Sequence, residues 1–296
     1  MAARRTSALA ALALLAVTAC WGSTFFLIHD LLDRLPVLDF LAVRFAIASV
    51  ALWLLFPRAV PRLDRRSVGG AVVLGLLYGV AQILQTAGLA HTPATVSGFI
   101  TGLYVVATPV FAAVLLRTRV TATTWAAVVL AVAGLGVLTL NGFSVGYGEV
   151  LTLVAAMLYA LHIVGLGAWS EAQAAMGMTV VQLVVITVVC LAAAAPNGIA
   201  LPSNGRDWFS VVYMAVLAGA LALAAQTWAQ AHLAPARAAL VMSMEPVFAA
   251  LFAVLLGGEH ATVRMVVGGL MVLGAMLVVE LVPRRHVEAE VPHIAV

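Results

Sequence analysis

The chain has 296 residues, of which 64% are apolar and only 9% are charged. Soluble domains carry about 25% charged residues, so this chain has too few charges to cover a water-exposed surface. A net charge of +3 does not indicate nucleic acid as a partner, because the basic residues lie in short loops between apolar segments, where they orient membrane proteins. We therefore predict an integral membrane protein.

Ten apolar segments follow one another along the chain, each close to the roughly 20 residues that a helix needs to cross a bilayer. Helices are expected because backbone polar groups must be paired within lipid, and the segments are too continuously apolar for barrel strands. The sequence predicts an all-α fold with ten transmembrane helices near residues 7–28, 37–56, 69–90, 94–116, 121–140, 149–169, 178–195, 209–232, 236–256 and 262–281.

The first segment resembles a secretory signal, because Arg4 and Arg5 precede a long apolar run. The run continues through Trp21-Gly22-Ser23-Thr24 without a following soluble domain. A retained membrane helix is therefore expected.

A pattern in residues 85–116 occurs again in residues 226–256. Both stretches contain Gln-Thr, Ala-His, Pro-Ala and Pro-Val-Phe-Ala-Ala in the same order. This duplication predicts a first repeat at 7–140, a second at 148–281 and a cytoplasmic tail at 282–296. Five helices are an odd number, so the second repeat enters the membrane in the opposite sense, and the repeats are predicted to be inverted. Inverted repeats are a common construction of secondary transporters, which bind substrate near the bilayer midplane between the halves.

The arginines indicate the orientation of the chain in the membrane. With a cytoplasmic N-terminus, eleven arginines fall on the cytoplasmic side and three on the other, while Arg44 lies within a segment. Because positive loops stay in the cytoplasm, both termini are predicted to be cytoplasmic.

Several short motifs together resemble the EamA-type permeases of the drug/metabolite transporter superfamily, over about residues 7–281. They are Trp21-Gly22-Ser23-Thr24-Phe25, Arg44-Phe45, Phe99-Ile100-Thr101-Gly102-Leu103-Tyr104-Val105-Val106, Ser243-Met244-Glu245-Pro246-Val247-Phe248 and Gly258-Glu259. The resemblance implies a ten-helix permease of the bacterial inner membrane, often an exporter of amino acids, other metabolites or toxic compounds. It fixes no substrate.

The first repeat departs from this pattern at two positions. Thr108 precedes Pro109, whereas Glu245 precedes Pro246, and Arg117-Thr118-Arg119 stands where the second repeat has Gly257-Gly258-Glu259. Acidic chemistry is therefore expected in the second repeat alone.

Glu245 is the main candidate for chemistry. It is expected about nine residues into its helix, roughly 13 Å deep, where a charge costs about 2.5–3.5 kcal/mol on insertion scales. Such a carboxyl group is expected to face a cavity, a partner or a proton. It is either a proton-coupling or substrate-amine site, or a structural hydrogen-bonding group beside Pro246.

Arg44 is the second charge within the membrane. Its planar fork of donors suits a carboxylate, supplied either by Glu245 or by a substrate. A structural role is the alternative, with the side chain extended toward the outer interface.

A polar stripe is predicted on the fourth segment, where hydroxyl groups recur at helical spacing. Its members either line a wet cavity or bond back to their own helix. The stripe consists of Ser97, Thr101, Tyr104 and Thr108.

Further cavity candidates come from both repeats. The amides Gln85 and Gln226 occupy duplicated positions. Trp21 and Thr24 of the first repeat correspond in sequence to Tyr159 and His162 of the second, and Trp228 is a further aromatic candidate. For each of these residues, ordinary packing or hydrogen bonding between helices is the alternative. Pro109 and Pro246 are expected to bend their helices, since proline lacks a backbone donor.

The sequence therefore predicts a secondary transporter that exports a small organic solute by alternating access, with protons as the candidate coupling ion. Neither a cofactor nor a metal site is expected, because the sequence contains no phosphate-binding glycine loop, zinc motif or nucleophile elbow. The alternatives are a membrane-embedded enzyme acting on a lipid-linked substrate and a scaffold or sensor that does not transport.

Overall fold

The computed structural model describes residues 2–115, 121–139, 146–169, 174–230 and 241–281. Within these ranges every regular element is helical. The predicted tail at 282–296 and Arg117-Thr118-Arg119 lie outside the described residues.

The described part of the first half contains six α-helices. They are α1 (Ala2–Leu32), α2 (Val37–Leu55), α3 (Arg65–Leu89), α4 (Ala94–Gly102), α5 (Tyr104–Leu115) and α6 (Ala122–Thr139).

The described part of the second half contains another six, and a π-helix, Tyr213–Leu221, joins α9 to α10. They are α7 (Tyr147–Trp169), α8 (Ala175–Ala194), α9 (Gly205–Val212), α10 (Ala222–Gln230), α11 (Glu245–Leu255) and α12 (Val263–Leu281).

Seven described helices are long and apolar enough to span a membrane, which confirms the prediction of an all-helical membrane protein. They are Ala8–Leu32, Val37–Leu55, Arg65–Leu89, Ala94–Leu115, Tyr147–Leu166, Ala175–Ala194 and Gly205–Gln226. Three apolar helices are shorter, namely Ala122–Leu138, Glu245–Leu255 and Val263–Val278. Each of the ten predicted segments overlaps one of these helices, while ten membrane crossings stay a prediction.

The fourth and ninth segments are each interrupted by a turn. In the fourth, the chain turns at Leu103, while Pro109 lies inside α5. In the ninth, a turn at residues 243–244 ends before Glu245, which begins α11. Pro246 therefore occupies the first turn of a helix, where its missing donor costs nothing. The expectation that Glu245 lies in mid-helix was wrong, and so was the expectation that Pro109 marks the bend of the fourth segment, whereas Pro246 follows the turn of the ninth segment within two residues, as expected of a helix break.

Helices in corresponding positions of the two halves pair antiparallel to each other. Along α6 and α12, Leu130 faces Gly274, whereas Leu138, two turns further on, faces Gly268. Gly134 lies between them against the Gly268 carbonyl. Small residues allow this close approach of the two backbones.

The two halves also run in opposite directions where α4 packs against α11, and α2 touches its counterpart α8. Where α4 meets α11, Gly98 faces Ala249 and Gly102 faces Pro246. Where α2 meets α8, the Ser49 hydroxyl lies 2.7 Å from the Thr187 hydroxyl. Antiparallel counterparts are the geometry expected of repeats related by a two-fold axis in the membrane plane.

The π-helix accommodates one additional residue in the second half. Asp64 caps α3 through the Ser67 amide, and Asn204, 140 positions later, caps α9 in the same way through the Asp207 amide. Further along, Gln85 and Gln226 are separated by 141 positions. The single inserted residue falls within a helix of i→i+5 bonds, a conformation often found at functional sites.

Three carboxylates join the two halves at one end of the bundle. Asp207 accepts from Arg34, Glu259 accepts from the backbone amides of Ala94 and Thr95, and Asp39 accepts from the Ala200 amide. All lie at connections on the side that the arginine distribution predicts to be extracellular. This end of the bundle is therefore fixed by polar contacts between the halves.

Candidate functional site

A cavity of about 480 Å³ lies between the two halves. Its walls come from α1 to α5, from α7 and α8, and from the stretch that includes the π-helix, α10 and the start of α11. In transporters built from two repeats, solutes bind at the interface between the repeats, where this cavity lies.

Ten of the residues predicted to be functional line this cavity. They are Trp21, Thr24, Arg44, Gln85, Thr101, Tyr104, Tyr159, His162, Gln226 and Glu245.

The remaining candidates do not line the cavity. Ser97 is fully buried, and its hydroxyl has no hydrogen-bond partner among the described residues. The Trp228 side chain is 43% exposed on the outside of the bundle. Pro109 and Pro246 belong to helices that pack nearby but do not face the space.

The predicted stripe on the fourth segment is divided by the turn at Leu103. Thr101 and Tyr104 line the cavity, whereas Ser97 and Thr108 do not. The Thr108 hydroxyl donates instead to the Tyr104 carbonyl at 2.7 Å, as hydroxyls within helices commonly do.

Glu245 and Tyr104 meet across the boundary between the halves. The Tyr104 hydroxyl donates to Oε2 of Glu245 at 3.4 Å. Tyr104 begins α5 and Glu245 begins α11. They also lie equally far, 19 residues, after Gln85 and Gln226. The counterpart of Glu245 is therefore Tyr104, and the assignment of Thr108 to that position was wrong.

Gln85 connects two other side chains in the cavity wall. Its Oε1 accepts from the Tyr159 hydroxyl at 2.8 Å, and its Nε2 donates to the Thr101 hydroxyl at 2.9 Å. Gln226, at the duplicated position, instead points Nε2 to the Met242 sulfur at 3.6 Å. Sulfur is a weak acceptor, so the hydrogen bonds of Gln85 are stronger than the contact made by Gln226.

Five polar lining residues were missed in the sequence, namely Tyr78, Gln82, Thr86, Thr179 and Gln182. Tyr78 packs against the Tyr159 ring at 5.3 Å and accepts from Gln82 Nε2 at 3.3 Å. Gln182 Oε1 lies 2.7 Å from His162 Nε2. The signal for the first two was present, because Tyr78, Gln82 and Gln85 recur at helical spacing on one face of α3.

Arg44 is buried in the cavity wall and does not reach the membrane surface. Only 8% of the residue is exposed, and its guanidinium lies 5.3 Å from the Phe45 ring centre and 5.8 Å from that of Phe40. Within the described part of the chain it forms no ion pair, so the pairing with Glu245 considered from the sequence does not occur. The ring faces give it a cation–π contact instead.

The cavity therefore has a guanidinium and a carboxyl group at separate places on its wall. The phenol groups of Tyr78 and Tyr159 lie within electrostatic reach of both Arg44 and Glu245. Aromatic surfaces between a guanidinium and a carboxyl group suit an organic solute of moderate size with polar ends. Among the described residues, no group of three His, Cys, Asp or Glu side chains is placed to hold a metal ion.

Comparisons with known proteins agree with this description. The model of the EamA-like transporter family matches residues 8–140 and again residues 146–281. An uncharacterized transporter of Archaeoglobus fulgidus is 29% identical over 271 residues, which cover 91% of this chain and 85% of that protein. A crystal structure at 18% identity has a similar fold, with a TM-score of 0.66 over 94% of this chain and 98% of the other.

Proposed function

This chain belongs to the EamA-like transporter family, within the drug/metabolite transporter superfamily, and we propose that it exports a small organic metabolite, amino acid or drug-like solute by alternating access. The family favours a transporter over an enzyme. The observation that carries the proposal is the cavity between the halves, with candidate residues from both repeats on its wall.

Two inverted five-helix repeats, with ten membrane crossings in all, provide the mechanism in this proposal. Antiparallel counterpart helices support it, because repeats of the same sequence type can exchange related conformations. When one half adopts the conformation of the other, the cavity changes the side on which it opens. The solute is carried across without any helix leaving its neighbours.

The proposed location is the bacterial cytoplasmic membrane, with both termini in the cytoplasm. The excess of arginine in the loops on one side supports this orientation. Single cysteines introduced at exposed Arg206 and at Arg58, into a chain lacking Cys20 and Cys190, test it. In intact cells an impermeant maleimide is expected to label the first and not the second.

Transport itself is tested with the purified chain in lipid vesicles. A panel of amino acids and cationic drugs is offered under a pH gradient and under exchange conditions, and flux of at least one class is expected. Thr101→Trp, which fills the cavity, is expected to stop that flux. Val129→Trp is the control, because Val129 is 67% exposed on α6, and it is expected to retain the flux. Absence of flux for every candidate under both conditions would count against the proposal.

A further inference from the structure

The Arg44 side of the cavity has a counterpart in the second half, and comparing the two sides shows what is unusual about Arg44. Ser49 and Thr187 touch and are 138 positions apart, which sets the correspondence between α2 and α8. By the same spacing, Arg44 corresponds to Gln182. Thr24 of α1 likewise corresponds to His162 of α7.

A second correspondence concerns the helices that face these residues. Gly79 packs on Ile186, and Gly219 packs on Ala48, the counterpart of Ile186. Gly219 is therefore the counterpart of Gly79, and the residue before it, Ala218, is the counterpart of Tyr78. This is consistent with the indole of Trp21, whose Nε1 donates to the Ala218 carbonyl at 2.8 Å, just as Tyr159 packs on Tyr78.

The two sides differ in how much space their side chains fill. Beside Gln182, the His162 ring bonds to the amide and packs 5.1 Å from the Tyr78 ring. By the correspondence between the repeats, the same two positions on the Arg44 side hold Thr24 and Ala218, which are much smaller and line the same cavity. Both sides belong to the same cavity, so the smaller residues leave room next to the guanidinium.

The backbone near Arg44 keeps this space open as well. Gly219 lies in the π-helix and lines the cavity. A Cβ atom there would lie 3.6 Å from the Ala48 side chain, which is one helical turn from Arg44 on α2. A larger side chain at this position would occupy space against α2 one turn from Arg44.

A buried guanidinium without an anion is expensive, because desolvation is not offset by an opposite charge. Among the described residues, Arg44 has aromatic rings as neighbours and no carboxylate partner. Its donor fork matches the two oxygens of a carboxylate. An open space beside an uncompensated, buried fork is the chemistry of a carboxylate-binding site.

We propose that Arg44 binds the carboxylate of the transported solute, and that Thr24 and Ala218 determine specificity by leaving the space that this carboxylate enters. The inference rests on the proposed transport function and adds the class of substrate, a small organic acid or zwitterion with an apolar body. That body lies against Tyr78 and Tyr159, and an amine, where present, points to Glu245.

Three probes that share a phenylethyl core test the inference, namely phenylalanine, 3-phenylpropionate and phenethylamine. Their binding to the full chain in lipid nanodiscs is measured by calorimetry. The two carboxylates are expected to bind the native chain. Arg44→Gln, which copies the counterpart Gln182, is expected to weaken their binding about tenfold, the equivalent of one hydrogen bond to a charged group. The affinity for phenethylamine, which has no carboxylate, is expected to fall far less.

Three further variants distinguish the loss of the binding group from a loss of folding. Thr24→His introduces the residue found at the corresponding position of the second half, His162. It is expected to weaken carboxylate binding although Arg44 is still present. The reciprocal change, His162→Thr, is expected to weaken it less. Arg206→Gln removes an exposed arginine outside the cavity and serves as the matched control. Each variant is first shown to retain its melting temperature within a few degrees.

Absence of binding by all three probes would overturn the proposal, as would carboxylate binding that Arg44→Gln leaves within about twofold of the native value. The binding assay tests the carboxylate subsite and the flux assay tests the transport function, so either hypothesis can be rejected without the other. Carboxylate binding that depends on Arg44, without flux, would overturn the transport function and leave the subsite. Flux that is indifferent to Arg44 would overturn the subsite and leave the transport function.

Discussion

Tyr104 donates a hydrogen bond to Glu245 at 3.4 Å, and the two residues occupy the same position in their respective halves. Each begins a helix immediately after an interruption in an apolar segment. Because counterparts that touch must lie close to the axis relating the repeats, this contact marks the pseudo-two-fold axis inside the cavity. The duplicated position is therefore acidic in one half and phenolic in the other.

This asymmetry predicts that Glu245 alone carries protons if transport is driven by a pH gradient. Glu245→Gln keeps the size of the side chain and its ability to accept from Tyr104, but it cannot bind or release a proton. We expect solute flux in vesicles to lose its dependence on the pH gradient while exchange of solute for solute continues.

Glu149→Gln is the matched control, because Glu149 lies in the first turn of α7 and does not line the cavity. It is expected to transport as the native chain does. If the Glu245→Gln variant responds to the pH gradient like the native chain, Glu245 is not on the proton route.

The duplicated glutamines predict an unequal response to the same substitution. Gln85→Leu removes two hydrogen bonds, from Tyr159 and to Thr101, each worth about 0.6 kcal/mol between membrane helices. Gln226→Leu removes one contact with the Met242 sulfur. We expect Gln85→Leu to lower stability by about 1 kcal/mol and to slow transport, and Gln226→Leu to do less of both.

Unfolding in mixed micelles measures the first effect and vesicle flux the second. Gln226→Leu is the matched control, because it makes the same change at the duplicated position. Equal losses in the two variants would show that the hydrogen bonds of Gln85 contribute nothing specific.

The sequence predicted much of this architecture, because helices in lipid must be apolar along their whole length. The ten segments, the duplication and most of the polar lining residues follow from that constraint. The interruption at Leu103 was not predicted, because Pro109 suggested a later bend, although Gly102 directly precedes the turn. The contrast between Arg44 and Gln182 also required the structure, because it depends on the residues of α1 and the π-helix on the Arg44 side and on those of α7 and α3 on the Gln182 side.

Glu259 is predicted to stabilise the start of α4. Its carboxylate accepts from the amides of Ala94 and Thr95, which are unpaired donors at the positive end of a helix. Glu259→Ala is expected to cost about 1 kcal/mol of stability, and Glu259→Gln less, because the amide oxygen still accepts a hydrogen bond.

Thermal unfolding of the purified chain measures both variants, with His260→Ala as a control at the exposed neighbouring residue. The melting temperature is expected to be highest for the native chain, lower for Glu259→Gln and lowest for Glu259→Ala. A Glu259→Ala protein that melts with the native chain would show that the contact between α4 and this loop does not contribute to stability.

Arg34 is predicted to couple more strongly to Asp207 than to Asp30. It donates to Asp207 from both Nε and Nη2, at 3.2 and 2.9 Å, and to Asp30 from Nη2 at 2.8 Å. The Asp207 side chain is 4% exposed, whereas that of Asp30 is 40% exposed. Hydrogen bonds to Asp30 and Asp207 raise the pKa of Arg34, so the guanidinium stays charged in any practical buffer.

Double-mutant cycles with alanine at Arg34, Asp30 and Asp207 measure the two coupling energies separately. The exposed pair is expected to contribute less than about 1 kcal/mol and to weaken in high salt. The Asp207 pair is expected to exceed that value and to change little with salt, because water and ions are excluded from one partner. Equal coupling energies with the same salt dependence would contradict the prediction that burial of Asp207 is what makes this contact hold the two halves together.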